Sequence, residues 1–359
     1  MQELLFATTL LCITAAVYLS VTPQRVLPRS LAFGLLVGLY AVLVGLRDPF
    51  VGSDTPTYVD LMLQLGELRF VEVLRRFLYA PSYLFWYGSW ASAKLGLSPA
   101  LYLLLLASAS IGIYARGLWL LAGQDKRQAL LMWAVVLASV STHLAFGNVL
   151  RQGAALAFAA IAVAKAVNGQ GSRGVMVAVV GILLHRSMIV VVLVLVVAQY
   201  KRLSIRWLKW IALTAPFVSP LLVSALAEWQ IPVISDRVRL YSAWSSSWYA
   251  YARIAAVWLV VPAYHSLLRA SRNCGPHHWQ LYRLFLLFSA AVFLASVIPE
   301  IATRLLIYLP LFHASFLSCF VVGARYRGIY LGLGLPVAAV AIVFASFYPG
   351  IQANFSYSL

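Results

Sequence analysis

Residues 30–58 read SLAFGLLVGLYAVLVGLRDPFVGSDTPTY. An uncharged apolar run from 30 to 46 passes directly into a charged segment, Arg47 to Tyr58, broken by Pro49, Gly52 and Pro56. The first part has the length and apolarity of a helix that enters hydrocarbon. The second part puts Arg47, Asp48 and Asp54 at its end, where ionisable groups persist only if they have a task. Asn148-Val149-Leu150-Arg151-Gln152-Gly153 and Leu184-His185-Arg186-Ser187 repeat the pattern, again setting cations between apolar runs. Placed on one side of a bilayer, the three segments read as one polar chamber.

Composition extends this reading to the whole chain. Hydrophobic residues make up 63% of the sequence and charged residues 10%, so no polar stretch is long enough for a soluble domain. The expectation is a single integral membrane domain over 1–359, all-α. About 10–12 transmembrane helices are expected, with re-entrant or interfacial helices beside them. The net charge of +17 is scattered through short loops rather than gathered on one helix face, which argues for cytoplasmic anchoring and against nucleic acid. The three cysteines, Cys12, Cys274 and Cys319, lie far apart and imply neither a disulfide framework nor a metal site. The start, Met-Gln-Glu-Leu-Leu, lacks a basic region and a cleavage signal, so the first helix is expected to be retained.

Apolar runs predict spans near 3–21, 30–46, 99–120, 129–147, 150–168, 174–186, 188–200, 207–227, 252–268, 281–298, 303–323 and 329–348. Lysine and arginine orient them. Arg25, Arg29, Lys126, Arg127, Arg173, the cluster Lys201, Arg202, Arg206 and Lys209, then Arg269, Arg272, Arg325 and Arg327 all fall inside if both termini face out. Two conditions follow. Residues 79–95 must form a re-entrant or interfacial helix rather than a crossing. Spans 174–186 and 188–200, short for full crossings, must form a bent pair with His185 and Arg186 at its apex.

On that topology Arg47, Asp54, Arg151, His185, Arg186, Arg237, Arg239, Arg253, Glu300 and Arg304 reach the outer side, where the charge rule disfavours arginine. An anionic ligand supplies the reason, since the guanidinium fork binds phosphate through paired hydrogen bonds. Arg47, Arg151 and Arg304 are the leading candidates. Arg237, Arg239 and Arg253 stand among Tyr241, Trp244, Trp248, Tyr249 and Tyr251, aromatic planes that suit a sugar or a headgroup belt. His185 and Asp54 are the candidate proton-transferring groups. For any single arginine, a salt bridge with Asp48, Asp54 or Glu300, or snorkelling to the interface, is at least as good an explanation, and for His185 the rival is a core hydrogen bond or a hinge; the one-sided set is harder to explain that way. The sequence has no HExxH, CxxC, Walker loop, Asp-x-Asp or GxSxG motif, so metal-independent chemistry on preactivated substrates is expected, with no cofactor.

The helix ending in Gly45-Leu46-Arg47, followed by Val51-Gly52-Ser53-Asp54-Thr55 and Tyr58, resembles the EpsG/Wzy-type polysaccharide (O-antigen) polymerases of bacterial envelopes. Asn148 with Arg151-Gln152-Gly153-Ala154-Ala155, and His185-Arg186-Ser187-Met188-Ile189, extend the resemblance in the same order. Ser53 stands where threonine is common, and Arg186 where a small or polar residue is common. The resemblance implies a fold similar to metal-independent membrane glycosyltransferases of the C type. It implies joining of undecaprenyl-diphosphate-linked repeat units at the periplasmic face of the bacterial inner membrane, in contact with membrane lipids and a chain-length regulator protein. The residues read above fit that chemistry, with His185 or Asp54 available as the catalytic general base for the acceptor hydroxyl. Arg47, Tyr58, Arg151, Arg186, Arg239, Arg253, Glu300 and Arg304 would bind the diphosphate and glycan. Three alternatives remain at this level: an O-antigen ligase-like enzyme, a transporter or flippase for lipid-linked glycan, since broken helices also mark transporter sites, and a structural membrane subunit, against which the one-sided cation excess argues.

Overall fold

Alanine builds the centre of the molecule. The helix Leu150–Val167 reads LRQGAALAFAAIAVAKAV, and Ala154, Ala155, Ala157, Ala159, Ala160, Ala162 and Ala164 are all buried. Lipid tails are as apolar as leucine, so membrane helices gain from close van der Waals contact, which small side chains permit. A Cβ added at Gly117 of the neighbouring helix would overlap Ala160, so glycine is required at that approach.

The computed structural model describes residues 2–21, 28–49, 54–77, 82–123, 125–199, 203–228, 248–270, 275–297 and 299–323. They form sixteen α-helices and, among the described residues, no strand. These are α1 (Gln2–Val21), α2 (Arg29–Gly45), α3 (Thr55–Gly66), α4 (Phe70–Phe77), α5 (Tyr83–Lys94), α6 (Pro99–Leu121), α7 (Lys126–Leu137), α8 (Val140–Gly147) and α9 (Leu150–Val167). The second half contains α10 (Gly171–Ile182), α11 (Met188–Ala198), α12 (Ile205–Glu228), α13 (Trp248–Ala270) and α14 (Pro276–Leu294). A 3-10 turn (Ala295–Val297) leads on to α15 (Pro299–Leu306) and α16 (Leu309–Gly323). α9 packs on α6 and α10; α2 lies on α6; α1 and α16 cover α7; α12 and α13 pack on α14, which returns to α11. The protein is an all-α membrane bundle.

Among the described residues α6 and α9 are long and apolar enough to cross a bilayer alone. α1, α2, α10, α11, α13 and α16 contribute shorter apolar segments. The run expected as one span over 129–147 is instead broken into α7 and α8, bent by 81°. His143 explains the break: its Nε2 meets the Leu137 carbonyl at 2.8 Å, and its Nδ1 meets the Tyr40 hydroxyl at 2.8 Å. A carbonyl left over at the end of α7 thereby gains a donor inside an apolar bundle. The stretch expected over 303–323 is likewise interrupted, at Ile307 and Tyr308 between α15 and α16.

Residues 83–94 form α5, twelve residues long and packed on α3. α3, α4 and α5 share a small core of their own, with Tyr58, Met62, Leu65, Phe77, Phe85 and Trp86 packed against Tyr102 and Leu150. α10 and α11 are separated at 183–187 and pack on each other, with His185 and Arg186 in the connection. The expected span 329–348 lies outside the described residues.

Candidate functional site

The three polar segments meet at helix ends, and backbone accounting explains how they are held together. A helix terminus leaves amides and carbonyls without intrahelical partners, and in an apolar bundle these must be satisfied by protein groups. At the end of α2, Nη1 of Arg47 donates to the carbonyls of Val44 (2.6 Å) and Phe146 (3.5 Å), tying α2 to α8. Arg47 is only 2% exposed. At the start of α3 the Asp54 amide donates to Oδ1 of Asn148 at 3.0 Å, and the Thr55 hydroxyl donates to the Gly147 carbonyl at 3.4 Å. The segments 47–58 and 148–153 thus form one junction.

Arg151 opens α9 and faces α3 and α5. Its Nε donates to the Tyr58 hydroxyl at 3.4 Å, and its guanidinium lies over the rings of Trp86 (4.8 Å) and Tyr58 (5.4 Å). Phe77 stacks on Trp86 at 5.0 Å, so the indole is packed between an aromatic ring and a cation. The Tyr58 hydroxyl in turn reaches Oδ2 of Asp54 at 3.5 Å. Burial holds the Tyr58 phenol above its ordinary range while the charge and hydrogen bond of Arg151 pull it down, so the group is a neutral donor to Asp54. Nη1 and Nη2 of Arg151 make no hydrogen bond among the described residues.

Gln152, fully buried, donates its side-chain amide to the Arg304 carbonyl and so joins the start of α9 to α15. Gly153 permits the same crowding on the other side, since a Cβ there would strike the Ala145 carbonyl of α8. The third segment closes the site. The Leu84 amide of α5 donates to the Leu183 carbonyl at 2.9 Å, drawing the 183–187 connection toward α3 and α5. His185, 6% exposed, accepts at Nδ1 from the Ser187 amide (3.2 Å) and lies 2.7 Å from Oγ of Ser187. Oγ of Ser187 is 2.6 Å from the Tyr308 hydroxyl.

Burial first, and then the charges of Arg151, Arg304 and Arg186, push the imidazole of His185 down to about 3. Three arginines from three distant parts of the chain therefore act on one ring. They make a locus for negative charge, and with burial they hold the ring neutral.

Of the sequence candidates, the structure brings Asp54, Tyr58, Arg151, His185, Arg186 and Arg304 together, with Arg47 one layer behind on backbone carbonyls. Arg237 and Arg239 lie outside the described residues, as do the side chains of Arg253 and Glu300 on α13 and α15. Sequence reasoning did not single out Trp86 or Tyr308. Tyr308 carried one signal: it follows Arg304 by a single helical turn. Trp86 carried none, since an aromatic in an interfacial helix is ordinary.

The EpsG family model matches residues 30–359, from α2 onward, and includes every segment that builds the site. No curated protein and no solved structure matches the chain. The match covers nearly the whole length, and the three motif segments within it converge in space: the chain belongs to the EpsG family, a Wzy-type polymerase-like family.

Proposed function

We propose that the protein is a membrane glycosyltransferase that polymerises undecaprenyl-diphosphate-linked oligosaccharide units at the periplasmic face of the bacterial inner membrane. The observation that carries this reading is the convergence of Arg151, Arg186 and Arg304 on His185. A lipid diphosphate is the leaving group whose charge such a cluster would stabilise, and it stabilises most as the charge develops. A hydroxyl oxygen at the non-reducing end of a new unit attacks the anomeric carbon of the carrier-linked glycan. The glycosidic bond forms as the bond from that carbon to the diphosphate breaks, and its electron pair leaves with the diphosphate. The hydroxyl proton passes to a base, for which Asp54 and His185 are the two candidates. The lipid tails remain in the bilayer and enter between helices. The periplasmic orientation rests on the basic loops, chiefly Lys201, Arg202, Arg206 and Lys209, being cytoplasmic.

Deletion and restoration of the gene, with surface polysaccharide resolved on a gel, tests the reading. A length ladder that collapses to a single attached repeat on deletion and returns on restoration is the expected result. Long polymer retained on the carrier, with none on the final acceptor, would indicate a ligase. Lipid-linked units trapped inside, with chain length otherwise normal, would indicate a flippase. Either would overturn the proposal.

A further inference from the structure

Two groups in the site could receive the acceptor's proton, and the hydrogen bonds around His185 distinguish them. A backbone amide can only donate. The Ser187 amide points at Nδ1 of His185 at 3.2 Å, so Nδ1 presents its lone pair and carries no proton. Oγ of Ser187, 2.7 Å from the same nitrogen, must then also donate to it. That leaves the serine oxygen as acceptor for the Tyr308 hydroxyl at 2.6 Å. The chain of donors runs in one direction, Tyr308 to Ser187 to Nδ1. A neutral imidazole so engaged holds its proton on Nε2, and among the described residues Nε2 has no hydrogen-bond partner.

We propose that Ser187 and Tyr308 are positioning residues that lock His185 as a neutral Nε2–H donor toward the carrier diphosphate, leaving Asp54 to take the acceptor's proton. This inference rests on the glycosyl-transfer reading above. The surroundings agree with it. A base at position 185 would become an imidazolium among Arg151, Arg186 and Arg304, which oppose a further positive charge. A neutral N–H beside three arginines instead adds one more donor to an anion site. The acceptor hydroxyl loses its proton to the Asp54 carboxylate as the new carbon–oxygen bond forms, and the diphosphate departs with the electron pair of the bond that breaks.

Glutamine at position 185 separates the roles, because its amide N–H lies near where Nε2–H lies but cannot take up a proton. With lipid-linked repeat unit and membranes containing equal amounts of each variant, His185→Ala loses about 100-fold under either role. As a donor site, His185→Gln retains about a tenth of wild-type activity or more, whereas Asp54→Asn does not. His185→Gln as inactive as His185→Ala, or Asp54→Asn as active as wild type, overturns the assignment. A second measurement is independent of turnover: nitrogen NMR of histidine-labelled protein in nanodiscs, with His185 identified by difference from His185→Gln. The expected spectrum has Nε2 protonated and Nδ1 bare throughout about pH 5.5 to 8. Tyr308→Phe is expected to move the Nδ1 resonance. Protonation on Nδ1, a ring that titrates near neutrality, or an Nδ1 resonance indifferent to Tyr308→Phe overturns the proposal. A wild-type protein that makes no polymer while giving the expected spectrum would remove the glycosyl-transfer reading and leave the ring's tautomer established.

Discussion

Replacing Arg151 with lysine keeps the charge and tests the geometry. In the protein the guanidinium is fixed on two sides: Nε donates to the Tyr58 hydroxyl at 3.4 Å, and the plane lies 4.8 Å from the Trp86 ring centre. This leaves Nη1 and Nη2 as the edge that a phosphate oxygen pair would meet. A lysine ammonium retains attraction to the indole, but it cannot present two parallel donors while also holding Tyr58. Losing one charge-assisted hydrogen bond costs about 1.5–3 kcal/mol, and the long contact to Tyr58 adds less than about 1 kcal/mol. The expected total, about 1.5–4 kcal/mol, corresponds to about 10- to 900-fold in kcat/KM. The loss should fall on kcat as well as KM, because the diphosphate is most negative once its bond to the sugar breaks. The assay is initial rate against concentration of lipid-linked repeat unit, with the variant and wild type in nanodiscs at matched thermal stability. An Arg151→Lys enzyme within about threefold of wild type would refute the diphosphate fork.

Arg47→Lys should lower stability as well as activity, because lysine is one bond shorter and its ammonium falls short of the place from which Nη1 reaches the carbonyls of Val44 and Phe146. The expected cost is about 1–3 kcal/mol, and an unchanged melting temperature in detergent would contradict it. Gly153→Ala should lower the melting temperature by a comparable amount, since the new methyl meets the Ala145 backbone rather than a movable side chain; overpacking of this kind costs about 1–3 kcal/mol. His185 predicts a pH dependence. Its folded value of about 3 lies below that of the unfolded chain, so its contribution is fully present above about pH 6.5. As pH falls below that point the unfolded state takes up a proton that the folded state refuses. Stability then drops by about 1.4 kcal/mol per pH unit until the folded value is reached. Between about pH 7 and pH 5, stability should fall less steeply in His185→Gln than in wild type, the difference being about this slope; equal slopes would contradict the burial of the neutral ring.

The polar segments were legible because a charge in an apolar run is conspicuous, whatever the fold. Arg47, Asp54, Arg151 and His185 all stand out in this way, and so does the connection at 183–187. Their partners were not legible. Tyr58 and Arg151, Gln152 and Arg304, Ser187 and Tyr308 are far apart in sequence, and only packing around α9 brings each pair together. The break between α7 and α8 was hidden for a different reason. Neither Pro nor Gly marks it, and the cluster Ser139, Ser141, Thr142 and His143 is mild enough to pass within one hydrophobic window. The carbonyl that His143 satisfies belongs to Leu137, and sequence alone does not reveal that hydrogen bond.

A membrane bundle that gathers polar segments at interrupted helices must also satisfy the broken backbone, and here the two requirements share side chains. Each junction where the polar segments meet leaves amides or carbonyls that hydrocarbon cannot satisfy. Asn148 takes the Asp54 amide, Arg47 and Thr55 donate to α2 and α8 carbonyls, Gln152 donates to Arg304, and Nδ1 of His185 takes the Ser187 amide. The side chains that close the broken backbone stand beside the charged members of the cluster, often one residue away: Gln152 beside Arg151, Asn148 across from Asp54, Ser187 after Arg186. In His185 the two tasks fall on the two nitrogens of one ring, Nδ1 turned to the backbone and Nε2 left for a ligand. This coupling accounts for the sequence arrangement, in which structural and chemical residues come as short adjacent groups at helix ends. It also means that a substitution at a closing residue such as Gln152 or Asn148 should disturb chemistry through the position of its neighbour, without touching substrate.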